Sequence, residues 1–117
     1  MTARTHHVNL PVPAGDTDAV ARFYVDVLGF ALAPRPESGR AGAWLDVGDG
    51  THVHLTERPG SAHPDQHVAF VVDDFDGTRA RAEAGGSEWI ARGDGRAVVR
   101  DPAGNLVELF SVGHEPG

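Results

Sequence analysis

The sequence predicts an α+β fold built from two tandem βαβββ modules. Three observations support this prediction. Residues 7–58 and 67–112 present the same features in the same order, which indicates an internal repeat. Each half opens with an alternating apolar strand that begins at a histidine. Each half then continues with a helix that ends at glycine and closes with a hairpin.

The first module, about residues 5–58, is predicted to contain one helix and four strands. Gly29 supplies the residue that ends the helix, and the hairpin turns through Gly48, Asp49 and Gly50. The predicted elements are, in order, a strand at 7–12, a helix at about 18–28, and strands at 30–33, 43–47 and 52–55.

The second module, about residues 67–112, repeats this order. Its hairpin turn at 101–105 reads Asp-Pro-Ala-Gly-Asn, with proline early and glycine late, as a turn with a left-handed residue requires. Residues 59–66 have the Pro/Gly/Ser composition of a linker, and the 117 residues are expected to form one domain. The predicted elements are a strand at 67–72, a helix at 75–84, and strands at 88–91, 97–100 and 106–110.

The composition excludes several classes of function. The chain has no cysteine, so any metal must be held by nitrogen and oxygen ligands. The net charge of -7 provides no positive surface for nucleic acid or anionic lipid. All ten basic residues are arginine, which excludes Schiff-base chemistry on a lysine. Without a long apolar run or a basic, apolar leader, we expect a soluble cytoplasmic protein without a membrane span.

Two matched pairs of polar residues form the candidate functional site. His7 and His67 begin the first strand of each module, and His54 and Glu108 lie in the last strand of each module. Alternation along a strand turns each of them away from its apolar neighbours, onto the concave, helix-free face of a sheet. Imidazole and carboxylate groups at matched positions on one face predict a divalent-metal site with these four residues as ligands.

Further polar and aromatic residues are candidates on the same strands. His52 shares the face of His54 about 7 Å along the strand, and it would replace His54 as a ligand if the hairpin register shifted by two residues. His6 has the opposite parity and is expected to be solvated. Trp44 and Phe70 are better explained as residues of the core or of the wall of the fold than as ligand contacts, but both are kept as candidates. The candidate substrate-binding residues are Trp44, His52, Phe70 and Arg100.

Four stretches of the sequence contain motifs of a known family. They are residues 7–12, 21–30, 67–74 and 100–109. The helix end Phe-Tyr-x-x-x-Leu-Gly-Phe and the hairpin Asp-Pro-x-Gly-Asn-x-x-Glu-Leu are specific in combination. Together the stretches resemble the vicinal oxygen chelate superfamily, which is also called the glyoxalase/bleomycin resistance/dioxygenase superfamily.

The resemblance implies that the two modules form a curved, partly open mixed barrel, with helices outside and a divalent metal on the inner surface. The family's metal ligands map onto His7, His54, His67 and Glu108. The position of His54 is a glutamate that takes part in proton transfer in many glyoxalase I proteins, so His54 is either a fourth ligand or a catalytic acid/base. Members of this length usually pair. We therefore expect a homodimer, with each site built within one chain or by exchange of modules between chains.

The resemblance thus predicts a metal-dependent enzyme that acts on a small-molecule substrate. One divalent ion per site, Fe(II), Mn, Co, Ni or Zn, would bind two adjacent oxygens of the substrate. A redox-inert metal with a base would support proton transfer of the glyoxalase type, whereas Fe(II) would support oxidation of the dioxygenase type. The alternative is a metal-free protein that sequesters a bleomycin-type antibiotic in an acidic, aromatic groove.

Overall fold

The computed structural model describes residues 2–37 and 39–116 and confirms the two βαβββ modules of an α+β fold. Each predicted element is present, with ends that differ by no more than two residues. The first module comprises β1 (His7–Val12), α1 (Thr17–Asp26), β2 (Ala31–Ala33), β3 (Gly42–Asp46) and β4 (His52–Glu57). The second comprises β5 (His67–Val72), α2 (Phe75–Ala84), β6 (Ile90–Ala91), β7 (Arg96–Arg100) and β8 (Leu106–Ser111).

Each module forms its own four-stranded mixed sheet. The strand order is β1-β4-β3-β2 in the first sheet and β5-β8-β7-β6 in the second. The first strand of each module runs parallel to the last, and all other neighbours are antiparallel. A parallel pair requires a long connection, and α1 and α2 carry the chain from the first strand to the far edge of each sheet.

One apolar core contains residues of both helices and both sheets. Helix α1 buries Val20, Phe23 and Tyr24 at helical spacing, whereas α2 buries only Thr78 and Ala82. The apolar side chains among these pack with buried residues of β4, β7 and β8 in a single cluster. Of the helices described, none is long and apolar enough to cross a membrane.

Side chains of the first strands alternate between this core and an open face. On β1, Leu10 and Val12 turn toward the core, whereas His7 and Asn9 are exposed. Strand β5 alternates in the same way. Its exposed residues are His67, Ala69 and Val71. The alternation therefore follows the period of two that the sequence predicts.

Phe70 lies on the core side of β5, and its ring centroid is 5.0 Å from that of Phe30. This position gives Phe70 a packing role, and its role as a substrate-binding residue stays a prediction. Alternation along β5 turns its side chain away from the open face, where His67 lies.

A buried hydrogen-bond network joins the two modules. The hydroxyl of Tyr24 in α1 donates to Oδ2 of Asp101 at 2.7 Å, in the turn between β7 and β8. The side-chain amide of Asn105 donates to the same oxygen and to the backbone carbonyl of Pro11 in β1. Burial, followed by the charge of Asp101 and this hydrogen bond, raises the pKa of Tyr24 well above its usual value. The phenol therefore stays protonated and acts as a donor.

Replacement of Tyr24 by phenylalanine should lower the free energy of unfolding by about 1–2 kcal/mol, because a buried hydrogen bond to a charged acceptor is lost. Urea denaturation measures the change. Thr51→Val is the matched control, because the Thr51 hydroxyl donates to Asp49 in an exposed loop and its loss should cost less than about 0.5 kcal/mol. Equal losses in the two variants would contradict the importance of the Tyr24 bond.

Candidate metal centre

The structure brings the four predicted ligands together as two pairs. His7 and His54 lie on the neighbouring strands β1 and β4, and His67 and Glu108 lie on the neighbouring strands β5 and β8. Within residues 2–37 and 39–116, no group of three or more His, Asp and Glu side chains is arranged to hold a metal ion. Among these residues the four predicted ligands do not form one group, and the two pairs belong to separate sheets.

The side chains of His67 and Glu108 face each other across the neighbouring strands β5 and β8. The Nε2 atom of His67 lies 3.7 Å from Oε1 of Glu108, and Nδ1 of His67 lies 3.0 Å from the carbonyl oxygen of Asp65. A carbonyl oxygen can only accept, so Nδ1 carries a proton, and in the neutral form of the ring Nε2 presents a lone pair to the carboxylate. Two acceptors that face each other in this way favour a cation between them. A hydrogen bond from the other ring nitrogen to a backbone carbonyl is typical of metal-binding histidines.

Glu108 also binds Arg96, which the sequence analysis did not identify. Nε of Arg96 donates to one carboxylate oxygen, Oε2, at 2.8 Å, and Nη2 forms an ion pair with the same oxygen at 2.7 Å. The guanidinium lies 5.6 Å from the ring centroid of Phe110. Strand parity contained a signal for this contact, because Arg96 shares the open face with Val98, which is the cross-strand partner of Glu108.

His54 is 7% exposed and lies at the centre of a stack of three rings. Its ring centroid is 3.9 Å from that of His7 and 4.3 Å from that of Trp44, and both neighbouring rings are nearly parallel to it. The lone pair of a ring nitrogen lies in the plane of its ring, so the lone pairs of stacked rings run side by side and do not meet at one point. His7 and His54 in this arrangement are therefore not suited to bind the same ion.

The environment of His54 also disfavours its predicted role as an acid/base. Burial lowers its pKa to about 4, and the positive charges of His7, His52, His6 and Arg35 act in the same direction. The ring is therefore neutral near pH 7, where a group with this pKa is a weak base. Its Nε2 atom is buried and has no hydrogen-bond partner among the described residues.

Two further histidines surround this stack. His52 is the cross-strand partner of His7, and its ring centroid lies 6.0 Å from that of His54. His52 thus lies on the open face, but the ring that stacks on His7 is that of His54. His6 was expected to be solvated. It is exposed, yet its Nδ1 atom lies 2.9 Å from Nδ1 of His7, so it forms part of the cluster.

Trp44 and Arg100 are the remaining predicted substrate-binding residues. Trp44 is half-buried against His54 and serves as a wall of the open face. Arg100 is exposed on β7, where its guanidinium donates to the backbone carbonyls of Gly104 and Pro64. Those bonds connect β7 to its own turn and to the linker, which accounts for Arg100 without a substrate.

An open cleft of about 500 Å³ lies beside the His67 pair. Asn9 and Pro11 of β1 form one wall, and Asp65, Gln66 and His67 form the other. A small molecule in this cleft would reach His67 from the side of the linker.

Comparison with known proteins identifies the family of this chain. The model of the Glyoxalase/Bleomycin resistance protein/Dioxygenase superfamily matches residues 4–109. The chain belongs to this superfamily. No curated protein matches its sequence significantly.

Solved structures of similar fold include other proteins of this superfamily. A protein from Bacillus anthracis assigned to the glyoxalase family is 28% identical, with a TM-score of 0.82 and coverage of 95% of this chain and 96% of that chain. The oxidase ChaP-H2 is 27% identical, with a TM-score of 0.77 and coverage of 100% and 99%. A mutant of the fosfomycin resistance protein FosX from Listeria monocytogenes, solved with Mn(II) and 1S,2S-dihydroxypropylphosphonic acid, shares the fold at 18% identity, with a TM-score of 0.78 and coverage of 95% and 93%.

Without bound metal, this protein should lose about 1–2 kcal/mol of its free energy of unfolding between pH 7 and pH 5. The reason is that the pKa of His54 is about 4 in the folded protein and about 6.5 in the unfolded chain. In this interval the unfolded chain binds a proton at His54 that the folded chain does not bind, so the free energy of unfolding falls as the pH falls. Urea denaturation in the presence of a chelator measures this loss.

The His54→Phe variant is the control, because phenylalanine preserves the ring stack but does not titrate. It should lose clearly less stability than the wild type over the same interval. The carboxylates with lowered pKa, Asp49 and Glu57, titrate below this interval and do not obscure the result. The assignment to His54 is rejected if the two proteins lose the same amount.

Proposed function

We propose that this protein is a metal-dependent enzyme that binds a small molecule through two adjacent oxygen atoms. His67 and Glu108 of one chain would hold one divalent ion, together with His7 of a second copy of the chain. One observation carries the proposal: Nε2 of His67 faces Oε1 of Glu108 at 3.7 Å while Nδ1 of His67 is bound to the carbonyl of Asp65. This pair has the tautomer and the spacing that suit two ligands of one cation.

The proposed ligand set is two imidazoles and one carboxylate. The parallel stack of His7 on His54 disfavours the two as joint ligands, and His7 is the more exposed of the two. A set of His7, His67 and Glu108 has the composition of the 2-His-1-carboxylate sites of non-haem iron oxygenases. We therefore propose oxidation of the substrate by an Fe(II) enzyme in preference to proton transfer. The 27% identity to a solved oxidase over the whole chain is consistent with this choice.

The side chains around the pair define what the protein itself contributes. Asp65 fixes the tautomer of His67, and Arg96 orients the carboxylate of Glu108. Ala69 and Val98 are the cross-strand neighbours of Glu108, and their apolar side chains lower the local dielectric constant around it. When bound, the metal would supply Lewis-acid and redox chemistry.

Several observations support the contribution of a second copy. His7 is exposed on the open face of the first sheet, and the side chain of His67 is 45% exposed on the open face of the second. The described residues of one chain assemble no group of three ligands. Two copies arranged about a two-fold axis could place the open face of each first module against the second module of the partner, which would complete two equivalent sites.

Mn(II) and Fe(II) should bind the wild-type protein, whereas His67→Ala and Glu108→Gln should weaken binding by about 10- to 100-fold or more, as expected for loss of a ligand. Titration followed by the electron paramagnetic resonance signal of free Mn(II) measures the affinity. The Fe(II) protein should also consume dioxygen with a catechol probe, and Glu108→Gln should not.

The matched control is His54→Phe, which removes a histidine of the open face that we do not assign as a ligand. It should retain wild-type affinity for Mn(II). Wild-type protein that binds none of the metals would reject the enzyme proposal and favour sequestration of an antibiotic. Turnover of a hydroxyketone probe with Ni(II) or Zn(II), without dioxygen uptake, would instead favour proton transfer.

A pair of variants tests whether the site is shared. His7→Ala and Glu108→Ala should each abolish Mn(II) binding as homodimers. A mixed dimer of the two, purified through two different affinity tags after coexpression, should regain one Mn(II) per dimer, because one intact first module then meets one intact second module. If each site were built within one chain, the mixed dimer would bind no Mn(II), since each chain lacks one ligand.

A further inference from the structure

The two oxygens of Glu108 have different partners. Nε of Arg96 donates to Oε2, and Nη2 of Arg96 lies 2.7 Å from the same oxygen. The other oxygen, Oε1, faces Nε2 of His67. An arginine paired with a carboxylate often donates one N–H to each oxygen, so the arrangement at Glu108 differs from the usual two-pronged pair. One oxygen is taken by the guanidinium, and the other is left for a cation.

The guanidinium of Arg96 also lies against an aromatic ring. Arg96 is the cross-strand partner of Phe110, and its guanidinium lies 5.6 Å from the centroid of that ring. The side chain of Glu108 is 11% exposed, whereas that of Arg96 is 49% exposed. The carboxylate therefore has little freedom to rotate, and the arginine approaches it from the open face.

We infer that Arg96 is a positioning residue that restricts Glu108 to binding the metal through one oxygen. This inference rests on the proposed function. A carboxylate can bind a divalent ion through one oxygen or through both. Binding through both would require Oε2 to leave Arg96, with loss of a charge-assisted hydrogen bond and of the ion pair at 2.7 Å.

The consequence concerns the positions that remain for the reactants. A six-coordinate ion held by three protein atoms keeps about three positions open, whereas a carboxylate that binds through both oxygens would leave about two. Two adjacent substrate oxygens occupy two positions, so dioxygen or water requires the third. By holding Oε2, Arg96 keeps that third position available.

The contact of Arg79 provides a matched control. Its Nε atom donates to Glu83 at 3.1 Å, and its guanidinium lies 6.0 Å from the centroid of Trp89. Arg79 is thus also an arginine that binds a glutamate and lies over an aromatic ring. Unlike Arg96, it binds a glutamate of its own helix, α2. Arg79→Met removes a similar set of contacts without any contact to Glu108.

The test counts the water molecules on bound Mn(II) from the broadening of its electron paramagnetic resonance lines in ¹⁷O-enriched water. Wild type and Arg79→Met should each have about three bound waters, and Arg96→Met and Arg96→Ala should have about two, because Glu108 then binds through both oxygens. Arg96→Lys should restore about three, since its ammonium can still bind Oε2. If Arg96→Met does not fold, the number of bound waters in Arg96→Ala provides the test.

Each outcome decides the inference. An unchanged water count in Arg96→Met or Arg96→Ala would overturn it while leaving the proposed metal site intact. Loss of Mn(II) binding in these variants alone would also overturn it, because the carboxylate should gain a bond to the metal and not lose one. Wild-type protein that binds no Mn(II) would reject the proposed function itself, together with this inference.

Discussion

The parallel pairing of the first strand with the last strand of each module is the constraint on which the rest of the structure depends. This pairing sets His7 beside the β4 histidines and His67 beside Glu108, although more than 40 residues separate the members of each pair along the chain. It also forces the intervening helix to cross one face of the sheet, which that helix then covers. The other face remains open, and the polar side chains of both modules lie there.

Alternation along the strands made most of this arrangement predictable from the sequence. The glycine just past α1 and the glycine of the β7–β8 turn both have positive φ, at 75° for Gly29 and 88° for Gly104, as the predicted helix end and turn require. The proximity of His67 and Glu108 followed from matched positions in the repeat. The position of Phe70 on the core side of β5 followed from the same alternation.

The remaining features depend on information that alternation does not contain. His7 has His52 as its cross-strand partner, yet its ring stacks on His54, because side chains lean along the strand as well as away from the sheet. Arg96 reaches a carboxylate that lies diagonally across the strand pair, a distance that only a long side chain can span. A repeat also does not reveal which faces of its two halves meet, so the sequence left open whether the two pairs of predicted ligands come together within one chain or between chains.

The network around Asp101 has a consequence for how the repeat can diverge. Its carboxylate receives the Tyr24 hydroxyl of the first module and two backbone amides of its own turn, while Asn105 extends the network to the carbonyl of Pro11. The corresponding turn of the first module instead uses Asp49 locally, in an exposed position. The hairpin turn of the second module therefore holds the two modules together, whereas the turn of the first module stabilises only its own loop. Substitutions are freer in the first hairpin, whereas the second must preserve its turn sequence to keep the halves in register.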